Sequence, residues 1–359
     1  MTNIAPGFMD LEALFARRVK EVGYEVINDA VEQSAQLFAA EQDALLSAVA
    51  EAINPKKPQM LFRLPVTVEM QPLQGEDDSP VPVQGFDEYQ LAFPLFDVGL
   101  AWGNNRKSRV KITVAEANEF TLNALQADAR WHRRQMLTAL LNNTSYTFSD
   151  KEWGTLTVKP LANGDSDKYT TTNGSTATDN HYLAQANPIS DTDYPFGDIA
   201  DELTEHPDNR GDVVVYVARN LRSSVRALAD FIPFAANPNI QPGISADTLT
   251  DFPDVPFGER RLGYLDEAGV YVVQWNALPD NYMLAITTEN SRRVLGYRDE
   301  PEPELQGLRI EVASFDGNHI VQRLLRTRGF AVQNRVAAVC FYVGNATYQV
   351  PSGYSVPQL

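Results

Sequence analysis

The segment from Val114 to Leu141 constrains the fold more than any other feature of the sequence. It contains no glycine or proline, and "TVAE" at Thr113 to Glu116 precedes it. This is a capping box, in which the Thr113 hydroxyl accepts from the Glu116 amide and the Glu116 carboxylate accepts from the Thr113 amide. Apolar residues recur along one face, including Phe120 and Leu125. The segment therefore predicts one uninterrupted helix of about 42 Å, with one face on a core.

A second helical region is predicted before it, from Asp10 to Ala52. Apolar residues recur there at roughly helical spacing, and "NPKKP" at Asn54 to Pro58 ends the pattern. Two interpretations remain open. The region is either an arm that lies on neighbouring subunits or an ordinary amphipathic helix pair that packs on its own core.

Residues Gln59 to Ile112 predict a long hairpin. Its outer parts, "MLFRLPVTVEM" and "LAFPLFDVGLAW", are rich in β-branched and aromatic residues. Between them "GEDDSPVPVQG" is acidic and carries two prolines, which indicates an exposed tip. Isolated hairpins are only marginally stable in water, so we expect a partner surface beneath this one.

The remaining chain predicts a β-rich insertion, a mixed α/β region and a return to strands. After Leu141 the sequence is polar and rich in Thr, Asn, Gly and Asp. The later elements are a helix at Phe196 to Glu205, a buried strand at Val213 to Val217 with a helix after it, and short strands at Arg261 to Leu265, Val270 to Val273 and Tyr282 to Thr287. Three more strands follow, and the last part reads "LRTRGFAVQNRVAAVCFYVG".

The charge and the cysteine content exclude several protein classes. The chain carries 47 Asp plus Glu against 30 Lys plus Arg, a net charge of −17, with no long basic run to grip nucleic acid. No apolar run approaches a membrane span, and the N-terminus lacks the pattern of a secretion signal. Cys340 is the one cysteine and lies in an apolar segment, so we expect a buried thiol and a cytosolic setting.

Motifs for chemistry are absent from the sequence. It contains no Gly-rich phosphate loop and no paired-cysteine zinc spacing. The four histidines are scattered, so each is expected at the surface or in a hydrogen bond rather than on a metal: His132, His181, His206 and His319. We therefore predict no catalytic, cofactor or metal site. An α+β enzyme using Asp208, Asp212 and Asp266 is the weakest alternative, because their spacing does not indicate a cleft.

Taken together, the order of the elements resembles the major capsid proteins of tailed double-stranded DNA bacteriophages. The resemblance covers most of the chain and implies an α+β fold with an N-terminal arm, an extended hairpin loop, a long spine helix in a peripheral domain, and a mixed α/β axial domain. It divides the chain into an arm (1–58), an extended loop (59–112), a peripheral domain with the spine helix and β insertion (113–195), an axial domain (196–290), and a return to the peripheral domain with a C-terminal tail (291–359).

This resemblance implies a structural subunit, not an enzyme. It would assemble as hexamers and pentamers into an icosahedral shell around packaged double-stranded DNA, without sequence-specific binding. Its partners would be copies of itself and portal, scaffolding and cement or decoration proteins, with assembly in the bacterial cytoplasm and no membrane. The acidic balance fits, since packaged DNA must not adhere to the shell wall. An encapsulin-type compartment shell is the alternative within the same fold.

Six charged residues are predicted to contact neighbouring subunits. Three are the arginines of the C-terminal stretch, Arg326, Arg328 and Arg335, and the others are the hairpin-tip carboxylates Glu76, Asp77 and Asp78. The alternative for the arginines is pairing with carboxylates of the same chain. The apolar run Val336 to Val343 is expected to close a core sheet beside the spine helix.

Two further expectations come from the resemblance. Some members of the family cross-link their shells through a lysine of the extended loop. The proposed tip, Met70 to Gln90, contains no lysine, so we expect no such cross-link. Many members also lose an N-terminal scaffolding segment. The sequence keeps residues 10–52, and we expect them to be part of the assembled subunit.

Overall fold

The computed structural model describes residues 24–47, 49–63, 88–105, 111–234, 260–315 and 319–355, together with Arg17, Glu21, Pro253 and Gly258. The chain forms two compact units. Unit 1 comprises Met1–Ser47, Leu95–Gln135 and Arg298–Gly329, and unit 2 comprises Ala48–Pro94, Met136–Tyr297 and Phe330–Leu359. Each unit contains parts of several of the five consecutive segments predicted from the sequence. The division of the chain into those five segments stays a prediction.

The elements alternate between helices and many short strands. The helices are α1 (Tyr24–Leu46), α2 (Val114–Leu141), α3 (Phe196–Thr204) and the four-residue α4 (Arg222–Val225), with 3-10 turns at Arg219–Leu221 and Pro303–Leu305. The first nine strands are β1 (Ala50–Ala52), β2 (Gln59–Arg63), β3 (Glu88–Ala92), β4 (Asp97–Asn105), β5 (Tyr146–Asp150), β6 (Gly154–Val158), β7 (Tyr169–Thr170), β8 (Thr176–Ala177) and β9 (Tyr182–Gln185). The others are β10 (Asn209–Val217), β11 (Phe231–Pro233), β12 (Arg260–Leu265), β13 (Val270–Gln274), β14 (Tyr282–Asn290), β15 (Leu295–Asp299), β16 (Leu308–Phe315), β17 (His319–Val332) and β18 (Ala338–Val343). No helix among the described residues is long and apolar enough to cross a membrane.

The long helix α2 begins and ends where the sequence predicts. The Thr113 amide donates to Glu116 Oε2 at 2.9 Å, and the Glu116 amide donates to Thr113 Oγ1 at 3.3 Å, so the capping box forms. These two bonds satisfy amides that the first helical turn leaves without partners. The helix continues for 28 residues because no breaker interrupts it.

Unit 1 is built around β17. Strand β4 pairs with it antiparallel from Asp97 opposite Thr327, and β16 pairs with it antiparallel from Leu308 opposite Arg326. Gly99 permits the first pairing, because a Cβ there would lie 2.6 Å from a Leu325 methyl. A small apolar core joins the helices to this sheet, through Ala35, Ala124, Leu125, Leu308 and Leu324.

Unit 2 is dominated by a seven-stranded sheet. Its order is β11-β12-β13-β10-β14-β18-β9, with β10 parallel to β13 and β18 parallel to β9. The strands β10, β13 and β14 each contain a continuous apolar run, as expected for strands covered on both faces: Val213–Val217, Val270–Val273 and Tyr282–Ile286. Helix α3 packs on this sheet with Phe196, Ile199 and Leu203 fully buried.

The C-terminal strand lies inside this sheet rather than at its edge. Strand β18 pairs with β14 through Leu284 opposite Cys340 and with β9 through Cys340 opposite Tyr182. Cys340 is fully buried, as predicted, and its thiol donates to the Leu140 carbonyl at the end of α2, at 3.3 Å. Burial raises the pKa of this thiol. The predicted position beside the long helix is confirmed.

The remaining strands of unit 2 lie outside this sheet, and most of them form small two-stranded pairs. Strand β1 runs parallel to β15, β2 pairs antiparallel with β3, and the insertion after α2 contains the hairpins β5-β6 and β7-β8. A second core lies beside them, formed by residues such as Leu91, Phe93, Val158 and Ala331.

Three sequence predictions need correction. Residues Ala50–Ala52 were expected in the N-terminal helix but form β1, because Leu295–Tyr297 of β15 offer a strand partner. Strand β4, which was expected in the second half of the hairpin, pairs with β17, and the described part of the hairpin is the pair β2-β3. The helix after β10 is only one turn long. The predicted hairpin tip lies outside the described residues.

Candidate functional site

Arg335 occupies the most enclosed charged site of unit 2. Its side chain is 0 % exposed. The guanidinium donates to Asp167 Oδ2 at 2.5 Å, to Asp165 Oδ2 at 2.7 Å and to the Pro160 carbonyl at 2.7 Å. Burial alone would lower the pKa of Arg335, but Tyr169 and the two carboxylates outweigh it and raise that pKa. The side chain therefore ties the residue before β18 to the loop that follows β6.

Arg326 and Arg328 form two related sites in unit 1. Arg326 makes a two-pronged pair with Asp128 of α2, at 2.9 and 3.0 Å. Arg328 lies between Asp43 of α1 at 2.5 Å and Asp299 at 2.6 Å. Both arginines are almost completely buried, so these pairs hold α1 and α2 against the strand β17 that carries them.

The structure thus gives each arginine carboxylate partners within its own chain. Their predicted contacts with neighbouring subunits stay a prediction, because a single chain contains no neighbour. Their burial leaves them little surface to offer such a neighbour directly. The predicted contacts at Glu76, Asp77 and Asp78 lie outside the described residues.

Unit 1 exposes large apolar side chains that its core does not use. Phe120 and Leu122 of α2 are 45 and 50 % exposed and flank the buried stripe of the helix, and Leu37 of α1 is 74 % exposed. A cavity of about 140 Å³ lies in the same unit, lined by Leu100, Ala124, Trp131, Leu308 and the Arg326–Asp128 pair. Leu100, which lines the cavity, is itself 45 % exposed. Large exposed apolar side chains of this kind are typical of a surface that another protein covers.

Two histidines that are far apart in the sequence meet in unit 2. His181 precedes β9 and His206 follows α3, yet their Nε2 atoms lie 3.1 Å apart and their rings stack at 5.2 Å. Asp179 Oδ2 lies 3.0 Å from His181 Nε2 and 2.7 Å from His206 Nε2. We refer to Asp179, His181 and His206 as the histidine cluster.

The backbone holds both imidazole rings in place. His181 Nδ1 lies 2.9 Å from the Ala338 carbonyl, and His206 Nδ1 lies 3.1 Å from the Thr170 carbonyl. The main chain of His181 is itself bonded to Ala162 and to Cys340. The cluster therefore joins strand β18, strand β7 and the end of α3.

The titratable groups in and around the cluster shift one another's pKa. Burial would raise the pKa of Asp179, but the hydrogen bonds with His181 and His206 outweigh it and hold that pKa well below its usual range. Burial would lower the pKa of His206, but Asp179 and the Thr170 carbonyl raise it. Burial together with the neighbouring Asp179 raises the pKa of Glu202 to about 9.

The sequence carried no signal for this cluster. A short spacing such as His-x₃-His would have indicated a ligand pair, whereas His181 and His206 are separated by β9 and α3. The prediction that these histidines are hydrogen-bonded is confirmed. Their proximity results only from the tertiary fold.

The three carboxylates considered for an α+β enzyme lie at different strands of the large sheet. Asp208 precedes β10, Asp212 belongs to it, and Asp266 follows β12. Strand β13 lies between β10 and β12, which separates Asp212 and Asp266 by two strand spacings, about 10 Å. This arrangement does not form the paired carboxylates that acid–base chemistry requires.

Comparison with solved structures identifies the fold. A chain from Mycobacterium phage Patience superposes with a TM-score of 0.66 and 18% identity, over 97% of each chain. A chain of the capsid structure of cyanophage P-SCSP1u gives 0.51 and 11%, over 83% of this chain and 86% of that one. A chain of the bacteriophage PhiM1 mature capsid gives 0.50 and 8%, over 83% and 85%.

Comparison of the sequence alone finds no relative. No protein-family model matches it, and no curated protein gives a significant match. At the identities found the likeness is one of fold, and it extends over almost the whole chain. The chain therefore has the α+β fold of phage major capsid proteins.

Proposed function

We propose that this chain is the major capsid protein of a tailed double-stranded DNA bacteriophage. Copies of it would assemble as hexamers and pentamers into an icosahedral shell that encloses packaged DNA. The observation that carries this proposal is the whole-chain fold match, which covers 97% of this chain and 97% of the phage chain.

The surface of unit 1 supports a role in assembly. Phe120 and Leu122 on α2 and Leu37 on α1 expose apolar area that costs free energy in water. Contact with a second copy of the chain would remove that area from water. We propose that these side chains, and the cavity beside Leu100 and Arg326, belong to the subunit interface.

The acidic charge supports the enclosure of DNA without adhesion. A wall with a net charge of −17 per subunit repels the phosphate backbone, which lets packaged DNA slide and pack. Portal, scaffolding and cement or decoration proteins are proposed as further partners, with assembly in the bacterial cytoplasm.

Particle size tests the proposal most directly. The full-length protein is expressed, separated by size exclusion and imaged by electron microscopy. Uniform icosahedral shells or their capsomers are expected, since a shell subunit elutes at megadalton size or as hexamers and pentamers. A small discrete oligomer under all assembly conditions would overturn the proposal. Shells that carry a cargo protein and no nucleic acid would instead support the encapsulin alternative.

Two substitutions on α2 locate the interface. Phe120→Ser with Leu122→Ser should abolish shell assembly but leave the folded chain intact, because exposed positions change stability by only about 0.5 kcal/mol. Glu119→Ser is the matched control, since it is an exposed residue of the same helix and receives the same side chain. Normal shells from the double variant would exclude this face from the interface.

Assembled shells boiled in detergent should run as single chains of 39.9 kDa, since the proposed loop tip lacks a lysine.

A further inference from the structure

The histidine cluster presents three acceptor atoms to one point. Both Nδ1 atoms face backbone carbonyls at 2.9 and 3.1 Å, so both must carry the hydrogen and donate it. In each neutral ring this leaves Nε2 with a lone pair. The two Nε2 atoms and Asp179 Oδ2 then lie within 3.1 Å of one another, with no hydrogen among them.

A single added proton on one of the rings does not satisfy this arrangement. One added proton on His206 Nε2 serves the 2.7 Å contact with Asp179, but His181 Nε2 then still faces the same carboxylate oxygen at 3.0 Å, lone pair to lone pair. A second proton would place two positive rings 3.1 Å apart at positions that are at most 1 % exposed. Like charges so close in a buried site are costly.

We propose that the histidine cluster is a binding site for a divalent transition metal ion of the zinc class, with His181 Nε2, His206 Nε2 and Asp179 Oδ2 as ligands. Two imidazoles and one carboxylate form a donor set that such ions prefer. Zn–N and Zn–O bonds of about 2.0–2.2 Å place neighbouring ligands roughly 3.0–3.4 Å apart, depending on geometry. The observed separations of 3.0 and 3.1 Å lie within that range, and the separation of 2.7 Å reaches it with a small shift.

The surroundings of the three ligands match a metal site. Each imidazole donates the hydrogen on its Nδ1 to a backbone carbonyl. This hydrogen bond fixes the ring and the tautomer, and it leaves Nε2 free for the ion. Glu205 Oε1 lies 3.6 Å from His206 Nε2, and its half-exposed side chain offers a fourth ligand. Carboxylate oxygens of Asp179, Glu202 and Glu205 all lie within 4.8 Å of one another.

The position indicates a structural role for the ion. The ligands come from the residues before β9 and after α3, and the carbonyls that orient them belong to β18 and β7. A bound ion would therefore fasten the β insertion and α3 to the central sheet of unit 2. Such an ion stabilises the folded chain because the unfolded chain does not preform the site.

Metal analysis of the full-length chain tests the proposal. The protein is stripped with EDTA, incubated with Zn²⁺, separated from free ion by gel filtration and analysed for zinc. One zinc per chain is expected, together with an upward shift of Tm by several degrees that EDTA reverses. Co²⁺ in the same site should give the visible absorption of a cobalt ion held by nitrogen and oxygen ligands.

Variants separate this site from adventitious binding. His181→Ala and His206→Ala should each lose the zinc and the Tm shift, whereas His319→Ala, which changes a histidine at the start of β17, should keep both. Asp179→Asn preserves the shape of the cluster, so it is the variant to measure if the alanine variants fail to fold. Equal zinc in the wild type and in folded Asp179→Asn and His206→Ala chains would overturn the proposal, and so would a wild type without zinc.

Discussion

Arg335 and Arg326 are both buried arginines from the same C-terminal stretch, but their surroundings differ. Arg335 has two carboxylates, the carbonyls of Pro160 and Leu161, and the rings of Tyr89 and Tyr169 at 5.9 and 5.7 Å. Arg326 has one carboxylate, and among the described residues its Nη1 has no hydrogen-bond partner. Every nitrogen of the Arg335 guanidinium therefore donates a hydrogen bond, whereas only two of the three nitrogens of Arg326 do so among the described residues.

The pKa directions report the same difference. The partners of Arg335 raise its pKa despite burial, whereas burial lowers the pKa of Arg326. Burial also raises the pKa of Asp128 above its usual value, although Arg326 lies beside it and opposes the shift. The buried charge of Arg335 is thus well compensated, whereas that of Arg326 is compensated only marginally. Removing the two arginines should therefore have unequal consequences.

Replacement of Arg335 should have the largest effect. Arg335→Met removes the guanidinium from the Asp165 carboxylate and from two buried carbonyls, and it leaves Asp167 with Lys159 alone. We expect a loss of about 3–5 kcal/mol in the free energy of unfolding. Urea unfolding measures it. Arg335→Lys is the control, since it keeps the charge but lacks the planar fork, and it should lose less. A loss for Arg335→Met no greater than that for Arg326→Met would show that the additional partners of Arg335 do not make its site more important for stability.

The Arg326–Asp128 pair should respond differently when both partners change. Arg326→Met alone should destabilise the chain by about 2–3 kcal/mol, less than Arg335→Met, because Asp128 can accept a proton when it loses its partner. The double variant Arg326→Met, Asp128→Leu should recover to within about 1 kcal/mol of the wild type, since an apolar pair of similar size needs no compensation. A double variant as unstable as the sum of its parts would contradict this.

The pH dependence of the stability of Arg326→Met tests whether Asp128 takes up a proton. Without Arg326 the folded-state pKa of Asp128 rises further above its unfolded value. A carboxyl whose folded pKa is raised contributes most at low pH, and that contribution is lost as the pH rises through the folded pKa. Relative to the wild type, the deficit of Arg326→Met should therefore be smaller near pH 4.5 than near pH 7.5, by about 1 kcal/mol or more. Urea unfolding at both pH values measures it, and an equal deficit would mean that Asp128 stays charged.

Local signals in the sequence predicted the elements well but not their charged centres. The capping box at Thr113 and the absence of breakers predicted α2 correctly, since both act within one or two helical turns. The alanine-rich β1 was predicted as helix, because its partner β15 lies far along the chain. The histidine cluster and the carboxylates around Arg335 depend on contacts between distant segments, which periodicity does not reveal.

Cys340 provides the smallest expected effect and an uncharged reference for the comparison. It is as buried as Arg335, but its thiol makes only a weak bond to the Leu140 carbonyl. Cys340→Ala removes one small polarisable group and leaves no charge unpaired, so we expect a loss of about 1 kcal/mol. Because burial raises the pKa of the thiol, a thiol reagent near pH 8 should label Cys340 only after unfolding. A loss equal to that of Arg335→Met would mean that packing around β18, and not the compensation of charge, determines the stability of this segment.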